Sequence, residues 1–192
     1  MERPLKPYER LPGAIEYQGK NYALDLSYAA VFVAADVLDD TRMDPRTRVA
    51  VALDILVKDP HPVDDGLLEA VTGLLREDRP KPDGPKTMDI EQDWSYICAA
   101  FMQAYGIDLY ADKKMHILKF RALLQAIPKS TKLAEIIGIR AAKIPAPNKY
   151  NREQIAELTR LKTLYALRGS TSLQDGFAKL FAFMEARAQP HA

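Results

Sequence analysis

"DWSYICAAFMQAYGIDLYADKKMHILKFRALLQAIP", residues 93–128, reads as a helix, a glycine stop and a second helix ended by proline. On the first helix, predicted from Asp89 to Tyr105, the side chains of Ile90, Trp94, Ile97, Phe101 and Tyr105 recur at three- and four-residue steps. They form one apolar stripe with Cys98 beside it, and Gly106 stands where a left-handed C-terminal cap is needed. The second helix is predicted over Asp112–Ile127. It puts Met115 and Leu118 to one side and Ile117, Phe120, Leu124 and Ile127 to another, the pattern of a central helix covered from two directions. Burial of each such side chain is worth about 1.5–3 kcal/mol, so these residues read as core.

Downstream, helices are predicted at Thr131–Ala142 and at Arg152–Leu167, the latter with Asn151 and Gln154 as a capping-box-like start and Gly169 as a stop. A last helix, Ser172–Ala188, carries Phe177, Leu180, Phe181 and Met184 on one face, and these four are the candidate partner-binding residues. Upstream, three prolines and a glycine in "DRPKPDGPK" (78–86) exclude any regular element and mark a boundary. Before it a helix is predicted at Val63–Glu77, weakened by Gly73. Another follows Asp44 as cap with Pro45 at its first position and Pro60 beyond its stop, and a further one begins after Ser27. "AIEYQGKNYALDL" (14–26) alternates around "QGK" and reads as a β-hairpin turning near Gly19, which alone would be marginal and must lie against something else. The predicted fold is therefore mainly α, about seven or eight helices with a small N-terminal hairpin. It is one domain over 11–168 in two lobes, 11–77 and 89–168, separated at 78–88, followed by an amphipathic helix and tail at 169–192.

The 192 residues, 47% hydrophobic and 28% charged, suit an ordinary globular chain. The net charge of +1 conceals a segregation. Residues 1–35 balance, 36–112 hold eight basic and seventeen acidic groups, and 113–192 hold fifteen and five. Such a chain either pairs internally or offers a basic and an acidic surface to partners. A single cysteine excludes an intramolecular disulfide and a cysteine-rich metal cage. "MERPLKPYER" lacks the apolar run of a signal peptide and no stretch is long enough to span a bilayer, so a cytoplasmic protein is expected.

No nucleophile elbow, phosphate-binding glycine loop or paired-histidine motif occurs, and no catalytic residue, cofactor or metal is assigned. Asp89, Glu91 and Asp93 are the densest acidic cluster near apolar sequence, with Asp89 and Asp93 four apart on one helical face. Acids in a first helical turn are favoured by the helix dipole without any ion. His116, beside Lys113, Lys114 and Lys119, reads as a boundary residue. Nucleic-acid binding by the basic third, which includes Arg121, Lys129, Lys132, Arg140, Lys143 and Lys149, is not expected. Its aromatics sit at core spacing and no DNA-reading motif is present.

The order of hairpin, acidic helices, Pro-rich break, "AAFMQAYGIDL", "MHILKFRALLQAIP" and "IIGIRAAKIP" resembles the phage tail-module family named after the fifteenth gene product of a Listeria siphophage, over residues 11–168. Where that family usually has two tryptophans after the Met-His pair, this chain has Ile117 and Leu118, which keep the apolar character. Genes of the family lie just upstream of the tape-measure gene. The resemblance implies a non-enzymatic tail assembly chaperone in the cytoplasm of the bacterial host, with the tape-measure and tail-tube proteins as partners and self-association allowed. The alternative it leaves is a structural virion protein of the tail or head-tail junction.

Overall fold

A computed structural model describes residues 10–76 and 86–168. The described residues hold two strands, β1 (Ala14–Tyr17) and β2 (Lys20–Ala23), and seven helices. These are α1 (Tyr28–Asp39), α2 (Pro45–Leu56), α3 (Asp65–Gly73), α4 (Trp94–Tyr105), α5 (Ile117–Gln125), α6 (Lys132–Ala141) and α7 (Arg152–Leu164). The mainly helical class with an N-terminal hairpin is as expected from the sequence. The candidate residues Phe177, Leu180, Phe181 and Met184, and nearly all of the Pro-rich break, lie outside the described residues.

The chain divides into two compact units. Among the described residues the first takes 10–76 and 112–122, and the second takes 86–111 and 123–168. Residues 112–122, which a division at the Pro-rich break groups with the later lobe, thus pack with the earlier one. The physical reason is aromatic: Phe120 stacks on Tyr28 at 4.9 Å between ring centroids and meets Phe32 edge-on at 5.6 Å. Backbone pairing joins the same elements, since the Tyr28 N–H donates to the Met115 carbonyl and the Ile117 N–H to the Leu26 carbonyl, each at 2.8 Å.

In the first unit, β1 and β2 pair antiparallel in the register Ala14↔Ala23 to Tyr17↔Lys20. The two-residue turn has Gln18 at φ 51° and Gly19 at φ 75°, the left-handed pair a tight hairpin twist requires. The hairpin is tied down at several points. The Tyr17 hydroxyl donates to Asp64 at 3.0 Å, Lys20 to the Pro60 carbonyl at 2.8 Å, and the Ala23 N–H to Asp59 at 2.6 Å. α1 and α2 pack side by side, burying Val31, Ala35 and Leu38 from one and Val49, Leu53 and Leu56 from the other. Ser27 caps α1 through Ala30 N–H, and Asp44 caps α2 through the N–H groups of Arg46 and Thr47. α3 is shorter than the predicted Val63–Glu77. Asp64 caps it by accepting from the Gly66 N–H at 2.7 Å, and it stops at Gly73.

In the second unit, α4 begins at Trp94, not Asp89. Residues 90–93 form turns, in which the Asp93 carboxylate accepts the Asp89 N–H and the Asp89 carboxylate accepts the Gln92 N–H. Gly106, at φ 66°, ends α4 as expected, its N–H returning to the Met102 carbonyl at 3.0 Å. α5, whose residues 117–122 belong to the first unit, also starts late, at Ile117, because His116 sits before it and its Nδ1 accepts the Leu118 N–H at 3.1 Å. On α5 Ile117 and Phe120 are buried, and Leu118 and Leu124, to other sides of the helix, are half-buried. Thr131 caps α6. The capping box expected at Asn151 does not form. That side chain instead accepts the Asn148 N–H and donates to the Ala146 carbonyl, closing the loop before α7.

Candidate interaction surface

Burial is distributed unevenly between units of similar length. Among the described residues, twenty-one of the buried apolar side chains belong to the first unit and eight to the second. α7 is the extreme case: thirteen residues long and with none buried. Its apolar side chains Ile155, Leu158 and Leu161 recur at three-residue steps and are each half-buried, and Leu164 is 62% exposed. Residues 143–150, which lead into it, are all exposed, with Ile144 at 49% and Tyr150 at 83%. A helix normally holds its place by burying a stripe, so α7 needs another attachment.

That attachment is polar and lies at its C-terminal end. Arg140 on α6 donates from Nε to the Tyr165 carbonyl at 2.6 Å, Lys162 reaches the Arg140 carbonyl at 2.7 Å, and the Gln92 side chain exchanges two hydrogen bonds with the Arg168 backbone. Lys132 Nζ lies 5.4 Å from the centroid of the Tyr165 ring. Arg140 also clasps Asp93 bidentately, at 2.6 and 2.8 Å, and donates to the Thr87 carbonyl at 3.0 Å. Lys86 closes on Asp89 at 2.9 Å. One guanidinium therefore links the turn before α4, α6 and the end of α7.

The acidic cluster singled out in the sequence is part of this tie. Asp89 and Asp93 are buried, lie before α4 instead of on a helical face, and spend their oxygens on protein donors; Glu91 is exposed. Among the described residues no group of three or more metal-capable side chains occurs. Arg140 is a residue whose role sequence reasoning missed. It counts as one of many cations in the basic third, and only its place at the end of the apolar run "IIGIR" hints at a buried charge needing a carboxylate.

The remaining candidates also serve the fold. His116 bridges, its Nε2 pairing with the Pro12 carbonyl at 2.9 Å. With Nδ1 accepting from Leu118, Nε2 must carry the proton. Arg121 donates to the Leu75 carbonyl at 2.9 Å. Cys98 is buried, and burial pushes its thiol up against the smaller opposing effect of a hydrogen bond with Tyr110. An open groove of about 420 Å3 in the first unit is lined by Arg46, Pro62, Val63, Asp64 and Asp65. Its Asp64 is already committed to Tyr17 and Gly66.

Charge follows the units and not the thirds of the sequence. Lys113, Lys114, Lys119 and Arg121 join the acidic first unit, which then holds eleven basic and twelve acidic described residues. The second holds ten and seven, two of the acids being the buried Asp89 and Asp93. Besides Arg140 with Asp93, the pairs Lys132–Glu135 on α6 and Arg160–Glu157 on α7 are local. Arg160 holds the Glu157 carboxyl below its usual range by hydrogen bonding, and Glu135 raises Lys132 in the same way. No helix among the described residues is long and apolar enough to cross a membrane.

Fold and surface define a small, mainly helical protein with one well-filled unit and one that leaves the apolar row of a helix half-covered. A family model described as the bacteriophage Gp15 protein matches residues 8–167, and the chain belongs to that family. Membership places it among bacteriophage structural and assembly proteins. No curated protein and no solved structure matches it.

Proposed function

We propose that the protein is a non-enzymatic tail assembly chaperone, made in the cytoplasm of the bacterial host, that covers the tape-measure protein and brings tail-tube subunits to it. The observation that carries the reading is α7, a thirteen-residue helix without a buried side chain, whose stripe of Ile155, Leu158 and Leu161 is left half-covered. A tape-measure protein is a long, largely helical polymer with apolar stripes of its own, which need covering until the tube surrounds them. Helix against helix meets both needs without any bond being made or broken. The sequence motifs already noted favour the same partner.

The test is co-expression with a tape-measure protein of the same phage, followed by pull-down, together with mass spectrometry of purified particles. Capture of the tape-measure protein and absence from the particle support a chaperone. Stoichiometric presence in the particle would make it a structural subunit of the tail or head-tail junction instead.

A further inference from the structure

We infer that residues 143–150 and α7 form a docking face for an amphipathic helix of a partner protein whose apolar stripe is flanked by acidic side chains. Three observations converge on this occupant. The first is incompleteness: among the described residues the second unit has eight buried apolar side chains against twenty-one in the first, and α7 contributes none. The second is spacing. Ile155, Leu158 and Leu161 present a half-covered row at helical steps, with Ile144, Tyr150 and Leu164 exposed on the same stretch of chain. Over α7 no backbone edge is free for a strand to add, so recognition there runs through side chains, and a row of this period fits the stripe of another helix. The third is charge. Residues 143–168 carry six basic and two acidic side chains, and one of those acids, Glu157, is already paired with Arg160 at 2.7 Å. A partner with acidic flanks would be steered toward the face and held in register on it. The row being aliphatic, it offers no stacking platform for bases, which favours a protein over a nucleic acid.

The inference rests on the chaperone reading only in taking the partner to be a helical protein, and its test separates the two. Full-length protein is titrated with three labelled probes: a synthetic Leu/Glu amphipathic helix, its Leu/Lys counterpart of the same spacing, and a DNA duplex. The Leu/Glu helix should bind at least about tenfold tighter than the Leu/Lys helix, and the double variant Ile144→Asp/Leu164→Asp should weaken it about tenfold, as loss of apolar anchors at an interface does. Both positions are exposed, so thermal unfolding should be unchanged, and Val33→Asp, an exposed position in the first unit, should leave binding intact. Equal binding of the two peptides, tighter binding of DNA, or no effect of the double variant would overturn the assignment. A fall in sedimenting mass on making that variant would show a self-association face, and tighter peptide binding by Phe177→Ser/Phe181→Ser would show the chain's own C-terminal run on it. Either result also overturns it. If the tape-measure protein is captured equally by wild type and double variant, the face is wrong and the chaperone reading stands. If the Leu/Glu helix binds as expected and the tape-measure protein is never captured, the reverse holds.

Discussion

Arg140 is the side chain on which the second unit depends most. Its own exposure is 10% and that of Asp93 is 1%, so removing the guanidinium strands a carboxylate away from water. Loss of one member of a buried pair costs about 3–5 kcal/mol, whereas replacing both by apolar groups is often nearly neutral. Arg140→Met should therefore lower stability by about that much, and Arg140→Met/Asp93→Leu should recover a large part of it. The recovery stays partial because Asp93 also accepts the Asp89 N–H. Urea unfolding followed by tryptophan fluorescence reads this directly, since Trp94 is the sole tryptophan and lies in the second unit. A loss under about 1 kcal/mol for Arg140→Met would mean that water replaces the pair. At this scale sequence reading does well for groups acting on neighbours in the chain, such as Ser27, Asp44 and Gly106. It fails for Arg140 and Asp93, whose partnership spans 47 positions and has no local signature.

Helix ends show the same division between elements. Pro45 after Asp44 is a strong local signal, and α2 begins there. The starts of α4 and α5 fall later than predicted, after Asp89 and His116, which make specific side-chain bonds that no propensity encodes, whereas α7 begins at Arg152 as predicted but without its capping box, Asn151 being bonded into the preceding loop. The cap on α2 makes a pH prediction. Hydrogen bonds from the Thr47 side chain and N–H hold the Asp44 carboxyl below its ordinary value of 3.8. A carboxyl lowered on folding stabilises the folded state above that ordinary value, and the contribution fades as pH falls through the lowered one. Carbon-detected NMR should find Asp44 titrating below 3.8. Thr47→Ala should move the titration back up, and an unmoved midpoint would show that the cap does not depend on the hydroxyl.

Among the described residues the number and kind of helices were legible because each carries a stripe, but the grouping of those stripes was not. A Pro-rich break at 78–86 is a sensible place to divide the chain, yet the ring of Phe120 belongs with Tyr28 and Phe32, which precede the break. The uneven filling of the two units was equally hidden, since α7 has a respectable amphipathic pattern and nothing in its sequence says how much will be covered. Amide protection should follow that burial. In hydrogen exchange of the isolated protein, α7 should exchange well before α1 and α2, and addition of a bound helical partner should slow α7 selectively. Protection of α7 equal to that of α2 in the free protein would contradict the sparse burial described.

The discontinuity of the first unit bears on how the chain comes off the ribosome. Met115, Ile117 and Phe120 fill a core otherwise made by residues that precede the Pro-rich break. The emerging N-terminal portion thus has to wait, with an aromatic pocket still open, while the whole of α4 is synthesised. Any host factor that shields nascent apolar surface would meet this chain in that interval, and a stop codon at the break would leave it there for good.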